Sequence, residues 1–186
     1  MSILPGPTAR DGLPTWAVVT PKRREHVRRV VGLLRDWATA LRLSSREAAQ
    51  WQRAGWLHDA LRDADEAELR RWAPTAPHIV ELLHGPAAAA RAELEGETDD
   101  DVLSAVRWHS IGWAGWGAVG RALYCADFLE PGRTFDAAVR AALADRFPDD
   151  PDAVVAEVAS RRLTYARAEG WVLPPEAIAF GEALSS

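Results

Sequence analysis

Apolar residues recur at helical spacing along most of this chain, and the clearest example follows residue 20. Thr20-Pro21 is typical of a helix start, an N-cap followed by proline at the first helical position. The apolar residues that then follow three or four positions apart are Val27, Val30, Val31, Leu34, Trp37, Ala38 and Leu41. They predict a helix over about 21–41 with one apolar stripe to bury.

The same kind of pattern continues to the end of the chain. Ser44-x-x-Glu47 is a capping box and predicts a helix over about 45–60 that ends in His58-Asp59. Further helices are predicted at about 65–73, 77–84, 87–95, 99–109, 115–129 and 151–169, with a last one from Pro175. No strand pattern, repeat or linker interrupts them. We therefore predict one all-α domain over residues 20–186, a single helical bundle, after an irregular segment over 1–19.

Composition limits the kind of protein further. The chain has 186 residues, 48% hydrophobic and 26% charged, which is typical of a globular domain with one core. No apolar run approaches the roughly 20 residues that span a bilayer, and residues 1–14 do not resemble a secretory signal. Cys125 is the single cysteine, which excludes an intrachain disulfide and favours a reducing compartment. We expect a cytoplasmic protein without a membrane partner.

The charge pattern bears on partners. The net charge is −5, and the basic residues are scattered, which argues against a nucleic-acid partner. Bound metal ions can still attract a small anionic substrate. Arg121, Arg140 and the pair Arg161-Arg162 are expected on solvated helix faces. No feature decides the oligomeric state, and a homodimer is left open.

Histidine and aspartate residues lie at helix ends or on apolar faces, where a bundle can point them inward. The candidate ligands are His26, His58, Asp59, His84, His109 and Asp127. Neutral imidazoles and carboxylates bind iron, manganese, zinc and related divalent ions. Six ligands suit two metals that keep open positions for water and substrate. His78 follows Pro77 and is expected instead at the surface or in a cap.

His58 and Asp59 are neighbours, and neighbours on a regular helix point about 100° apart. In the last turn both can reach one ion, or the carboxylate can bridge two. Two bridged ions share a water, lower its pKa so that hydroxide is available near neutral pH, and neutralise a phosphoryl oxygen.

Several motifs in this order resemble those of HD-domain phosphohydrolases, and more narrowly the YqeK family of bacterial symmetrical diadenosine tetraphosphatases. The stretches that carry the resemblance are Arg23-Arg24-Glu25-His26-Val27, Ala54-Gly55-Trp56-Leu57-His58-Asp59-Ala60, Leu82-Leu83-His84-Gly85-Pro86, Trp108-His109-Ser110-Ile111-Gly112 and Tyr124-Cys125-Ala126-Asp127-Phe128-Leu129-Glu130-Pro131-Gly132-Arg133. The last is the most specific, since other HD enzymes lack it. Together they cover roughly residues 21–172.

The resemblance implies an all-α HD fold that holds two iron ions, although ligand chemistry does not separate iron from manganese or other divalent ions. It also implies hydrolysis of the nucleotide diadenosine tetraphosphate into two ADP molecules by a hydroxide that bridges the metals. Carried over by position, one ion is held by His26, His58, Asp59 and Asp127. Asp59, as catalytic bridge, then links it to a second ion held by His84 and His109.

Arg62 and Arg133 are the candidate catalytic and substrate-binding cations, because a guanidinium can clamp a phosphate bidentately. Arg62 stands where the family usually has lysine, which changes the geometry of the contact. Arg133 can alternatively pair with Glu130 or Asp136. Trp113 and Trp116, in a Trp/Gly-rich loop that departs from the family, are candidates for stacking on an adenine ring or for packing.

Two other interpretations are left open. The alternatives are an HD phosphohydrolase that acts on another nucleotide and a non-catalytic HD module that binds a nucleotide or a protein. The intact set of six ligands argues against the second. The cyclic-dinucleotide subfamily is disfavoured because no Gly-Tyr-Pro segment follows the His-Asp pair.

Overall fold

The computed structural model describes residues 12–74 and 79–185, and every regular element in these ranges is helical. The α-helices are α1 (Pro21–Ala40), α2 (Ser45–Leu57), α3 (Glu66–Trp72), α4 (His84–Leu94), α5 (Asp100–Trp108), α6 (Ala118–Leu129), α7 (Ala137–Arg146), α8 (Pro151–Ala168) and α9 (Pro175–Ala183), with a 3₁₀ turn at Val80–Leu82. The all-α prediction is confirmed. Among the described helices, none combines the length and apolarity that a membrane span needs.

The helix starts predicted from capping residues are confirmed. The Thr20 hydroxyl accepts a hydrogen bond from the Arg23 amide at 3.3 Å, and Pro21 occupies the first turn of α1. The Ser44 and Glu47 side chains form the reciprocal capping box of α2. Such caps satisfy amides that have no partner within the helix. Local sequence therefore sets where these helices begin.

Two regions differ from the prediction. The α7 helix was not expected, and Leu143 is its one buried residue, so its apolar pattern is weak. The α4 helix begins at His84 rather than near residue 87, because Gly85 and Pro86 form its first turn instead of ending a preceding helix. The predicted helix over 77–84 lies partly outside the described residues, and a 3₁₀ turn occupies its described part.

The largest core cluster lies where α1, α2, α5, α6 and α8 meet. Trp37 stacks on Phe147 with ring centroids 3.9 Å apart, which joins α1 to the end of α7. A second cluster lies beneath α3 and α4. The described part of the N-terminal segment is irregular but packed, since Leu13 is buried against Val27 and Val31.

That segment also holds the turn that follows α2. The Val18 amide donates to the Ala60 carbonyl at 2.8 Å, and the Asp63 amide donates to the Val18 carbonyl at 3.2 Å. The backbone of Val18 therefore holds the turn that carries Asp59 through two hydrogen bonds.

Two glycines allow the helices that carry the candidate ligands to approach closely. A Cβ atom on Gly55 of α2 would lie 2.9 Å from side-chain carbons of Val31 and Leu34 of α1. A Cβ atom on Gly85 of α4 would lie 2.9 Å from the Arg107 carbonyl oxygen of α5. Real Cβ atoms do not lie this close to backbone oxygens, so α4 can contact α5 only because residue 85 is glycine.

Candidate metal centre

Six side chains from five helices converge on one buried site. His26 lies on α1, His58 and Asp59 follow α2, and His84 opens α4. His109 follows α5, and Asp127 lies on α6. All six are buried apart from Asp127, whose side chain is 13% exposed. The structure thus brings together every residue that the sequence nominated as a ligand, whereas His78 lies outside the described residues.

Asp59 stands at the centre of two groups of donor atoms. Its Oδ2 lies 3.5 Å from His26 Nε2 and 3.6 Å from His58 Nε2, while its Oδ1 lies 3.3 Å from His84 Nε2 and 3.6 Å from His109 Nε2. In each group the donor atoms lie within 4.8 Å of one another. The two oxygens of one carboxylate therefore face two different histidine pairs.

All four histidines use Nδ1 for a hydrogen bond within the protein. His58 Nδ1 donates to the Gly55 carbonyl at 2.7 Å, His84 Nδ1 to the Glu81 carbonyl at 2.9 Å, and His109 Nδ1 to the Val106 carbonyl at 2.8 Å. His26 Nδ1 lies 3.1 Å from Glu130 Oε1. For His58, His84 and His109 the proton is then on Nδ1, so each of their Nε2 atoms can offer a lone pair toward the centre.

The donor set fits divalent cations. His84 Nε2 and His109 Nε2 lie 3.1 Å apart, and His26 Nε2 and His58 Nε2 lie 3.4 Å apart. Nε2 of His84 and Nε2 of His109 are both unprotonated when each Nδ1 donates to a carbonyl, so they repel each other at this distance, and a shared cation removes that repulsion. Imidazole nitrogens with carboxylate oxygens are the ligands that iron, manganese and zinc accept.

The electrostatics of the cluster point the same way. Burial lowers the pKa of His58 to about 4 and also lowers the pKa of His84. Burial opposes ionisation of Asp59 and Asp127, but contacts with the neighbouring histidines hold the pKa of both carboxyls well below their usual range. At neutral pH the site thus contains ionised Asp59 and Asp127 beside neutral His58 and His84, which is the protonation state that metal binding requires of these four ligands.

His26 is the exception in this cluster, and Glu130 contributes to the difference. Burial disfavours charge on His26, but hydrogen bonds with Asp127 and Glu130 raise its pKa to about 9. Glu130 is itself 2% exposed and receives hydrogen bonds from Arg29 Nε at 2.5 Å and from the Gly132 amide at 2.6 Å. Sequence reasoning placed Glu130 in a motif and missed its contact with a candidate ligand.

Arg23 was also missed as a site residue. Its Nη1 donates to Asp59 Oδ2 at 2.7 Å, so it offsets charge on the carboxylate between the two histidine pairs. The available signal was its position three residues before His26, which places both side chains on the same face of α1.

The two candidate phosphate clamps differ in their surroundings. Arg62 is half-buried, its charge is felt by His84, and its guanidinium has no hydrogen-bond partner among the residues that the structure describes. Arg133 is more exposed and donates to Asp127 Oδ1 at 3.0 Å, with Glu130 Oε1 3.5 Å away. Arg133 therefore contacts a candidate ligand, whereas Arg62 is connected to the set through the effect of its charge on His84.

The expectation that Arg162 lies on a solvated helix face is wrong. Its side chain is 22% exposed, Nη2 donates to the Ser110 carbonyl at 2.8 Å, and Nη1 lies 3.7 Å from Asp127 Oδ2. The α8 helix packs against α6, so this position faces the site rather than solvent. Its neighbour Arg161 does pair at the surface, with Glu157.

The two tryptophans nominated for base stacking lie in different environments. Trp113 is 37% exposed and stacks on Trp108 with centroids 5.2 Å apart. Trp116 is a core residue that packs against Tyr124 and Phe180 and donates to the Ser104 carbonyl. Of the two, Trp113 has an accessible face, and Trp116 has none to offer to a nucleotide.

Comparison with known proteins identifies a family and several similar proteins. The family model of the HD domain matches residues 23–150. Three proteins named symmetrical bis(5'-nucleosyl)-tetraphosphatase are similar to this chain. The Bacillus subtilis protein is 39% identical over 59 residues, which are 31% of this chain and 32% of that protein. The Staphylococcus aureus protein is 42% identical over 55 residues, 29% of this chain and 28% of that protein.

The third relative, from Halalkalibacterium halodurans, is 28% identical over 127 residues, 63% of this chain and 68% of that protein. The matches to the first two relatives thus span about a third of their length or less.

A solved structure from Clostridium acetobutylicum, described as a predicted HD superfamily hydrolase involved in NAD metabolism, aligns with a TM-score of 0.78. It is 22% identical and covers 90% of each chain, so the two share a fold. The resemblance drawn from the motifs is confirmed. Since the HD-domain match covers more than half of the chain, the protein belongs to the HD-domain family.

Proposed function

We propose that this protein is a metal-dependent phosphohydrolase that cleaves diadenosine tetraphosphate symmetrically into two ADP molecules. The observation that carries the proposal is the position of Asp59, whose two oxygens face two separate histidine pairs. A carboxylate in that position suits a bridge between two cations. The names of the similar proteins supply the substrate class.

Each candidate ligand has a place in this proposal. His26, His58, Asp59 and Asp127 hold one divalent ion, and Asp59 with His84 and His109 holds the other. By resemblance to the family the ions are iron, and manganese also suits these donors. When bound, two such ions activate water and neutralise phosphate charge.

Arg62 and Arg133 bind the phosphate chain in this proposal. A tetraphosphate carries several negative charges, and a guanidinium can donate two parallel hydrogen bonds to a phosphate. The charge of Arg62 acts on His84, and Arg133 contacts Asp127, so these two observations support a role for both cations at the candidate metal centre. Because the leaving ADP is a stabilised anion, orientation of the phosphates and neutralisation of their charge are the main demands on the protein.

Trp113 provides the stacking surface for one adenine ring. Its exposed ring lies parallel to Trp108, which directly precedes His109 in the chain. Stacking of a base on an aromatic side chain contributes about 1–3 kcal/mol and tolerates any base. This surface therefore adds affinity for a nucleotide without deciding which base is bound.

A second candidate function is hydrolysis of a different nucleotide by the same site. The observation that favours it is Arg62, which stands where the resembling family usually has lysine. An arginine fork contacts a phosphate differently from a point charge, so the preferred phosphate chain can differ.

Product analysis with defined metals separates these functions. Purified protein is loaded with Mn²⁺ or, without oxygen, Fe²⁺, and is incubated with diadenosine tetraphosphate and a panel of nucleotides. ADP as the single product supports the symmetrical cut. ATP plus AMP excludes it, and faster turnover of another nucleotide favours the second candidate.

The role of Asp59 is tested in the same assay. Asp59→Ala removes the shared ligand, and we expect a loss of activity above about 100-fold, since even outer-shell changes cost 10- to 100-fold. The control is Asp36→Ala, an exposed aspartate on α1 that pairs with Arg35. A non-catalytic module becomes the better interpretation if the wild-type protein binds no metal and the Asp59→Ala variant is as active as the wild type.

A further inference from the structure

Arg162 lies on α8, beyond residue 150, where the match to the HD domain ends. Its guanidinium nevertheless reaches the candidate metal centre. Nη2 donates to the Ser110 carbonyl at 2.8 Å, and Nη1 lies 3.7 Å from Asp127 Oδ2. The guanidinium carbon also lies 4.4 Å from the centre of the buried Tyr124 ring, which holds the planar group in place.

The two groups that Arg162 contacts belong to opposite halves of the site. Ser110 directly follows His109, and its Oγ lies 3.2 Å from His109 Nε2 and 3.3 Å from His84 Nε2. Asp127 belongs to the other half, since its Oδ1 lies 3.2 Å from His26 Nε2. One guanidinium thus connects the turn after α5 with the carboxylate on α6.

The two oxygens of Asp127 have different neighbours. Oδ1 faces His26 and Arg133, whereas Oδ2 faces Arg162. Nη1 of Arg162 is buried and has no hydrogen-bond partner within the described ranges. Asp127 Oδ2 lies 3.7 Å from this nitrogen, which is an ion-pair distance, so Arg133 beside Oδ1 and Arg162 beside Oδ2 together restrict how the carboxylate rotates.

We propose that Arg162 is a positioning residue, which holds Asp127 and the Ser110 turn in the relative arrangement that metal binding requires. The inference rests on the proposed metal site and adds to it a contribution from outside the HD-domain match. Arginine suits this role because its rigid fork donates to the Ser110 carbonyl and pairs with Asp127 while its face stacks on Tyr124. Lysine keeps the charge but cannot hold both acceptors.

A purely electrostatic role predicts the opposite result. A fixed positive charge beside the site repels a bound cation, so removal of the charge alone would strengthen metal binding. Loss of positioning instead weakens metal binding, because outer-shell partners of metal ligands contribute 10- to 100-fold in affinity. The sign of the change in affinity therefore distinguishes the two roles.

The test titrates metal-free protein with Mn²⁺ and follows binding by electron paramagnetic resonance and calorimetry. We expect about tenfold or greater weakening in both Arg162→Gln and Arg162→Lys. The matched control is Arg161→Gln, the same substitution one position away, where the side chain pairs with Glu157 at the surface. It should bind Mn²⁺ as the wild type does. Unchanged or tighter binding by Arg162→Gln, or wild-type binding by Arg162→Lys, overturns the proposal.

The readout separates this proposal from the proposed function, since it needs no nucleotide. Wild-type protein that binds no Mn²⁺ overturns both. Mn²⁺ binding that is equal in the wild type and the Arg162 variants overturns only the role of Arg162. Circular dichroism and thermal unfolding establish that each variant folds, and if Arg162→Gln does not, Arg162→Lys decides.

Discussion

Glu130→Gln changes one oxygen of a buried side chain to an NH₂ group while its size stays the same. Every partner of Glu130 is a donor. Oε1 accepts a hydrogen bond from His26 Nδ1 at 3.1 Å, and Oε2 accepts hydrogen bonds from Arg29 Nε at 2.5 Å and from the Gly132 amide at 2.6 Å. Burial alone would raise the pKa of Glu130, but these hydrogen bonds lower it to about 2. Glutamine has a single acceptor oxygen, so the donors at either the Oε1 or the Oε2 position must lose their acceptor.

The amide oxygen of the variant should stay with Arg29 and Gly132, because that side has two donors and one is charged. The NH₂ group then faces His26 Nδ1, which has to accept instead of donate. His26 then keeps its ring proton on Nε2, the atom that points at Asp59 and Asp127, instead of on Nδ1. Metal binding must reverse this change, at a cost of about 1.4–2.8 kcal/mol, or 10- to 100-fold in affinity.

Mn²⁺ titration of the metal-free variant measures this loss, and nitrogen NMR of His26 reports the tautomer directly. Glu157→Gln is the matched control, since Glu157 also binds two arginines, Arg146 and Arg161, but does so at the surface. It should bind Mn²⁺ as the wild type does. Wild-type affinity in a folded Glu130→Gln protein would refute the reasoning that Glu130 selects the tautomer of His26.

Three further outcomes are expected. Gly85→Ala forces α4 away from the Arg107 carbonyl and should lower the free energy of unfolding by about 1–3 kcal/mol in urea titrations. The control is Gly32→Ala, because a Cβ atom at residue 32 meets nothing within 4 Å. Equal stability of Gly85→Ala and the wild type would contradict the close approach of α4 to α5. Trp113→Ala should raise KM for the nucleotide with little change in kcat, as loss of a stacking surface of about 1–3 kcal/mol implies. An unchanged KM would remove Trp113 from the site, and Trp171→Ala, another exposed tryptophan, controls for surface effects. Cys125 is fully buried, and burial raises the pKa of its thiol. A thiol reagent should therefore modify Cys125 only after unfolding. Rapid labelling of the folded protein would contradict the packing of α6.

Local sequence predicted the helices whose ends carry their own signals. The caps at Thr20 and Ser44 act within three residues, so short-range hydrogen bonding is enough to place the starts of α1 and α2. The α7 helix has no side-chain cap and one buried residue, and it was missed for that reason. The predicted helices over 77–84 and 87–95 leave Gly85 and Pro86 between them, whereas both residues lie in the first turn of α4.

The candidate ligands were also accessible from sequence, through residue type, order and family resemblance. Their outer partners were not. Glu130 and His26 are far apart in the chain, and their contact exists because α6 packs against α1. Arg162 follows an arginine that lies at the surface, and no pattern on α8 distinguishes the two positions. Trp116 and Trp113 are three residues apart, yet one is a core residue and the other is exposed.

The helical class and most helix starts follow from the amino-acid sequence, because they depend on neighbours along the chain. The six candidate ligands follow from residue type, order and family resemblance. The tertiary structure alone decided that Asp59 lies between two histidine pairs, that each Nδ1 is occupied, and that Arg162 faces the site. Those features depend on distances between helices. Distances between helices follow from packing, including the close approach that Gly55 and Gly85 permit. The spacing of residues along the chain does not specify these distances.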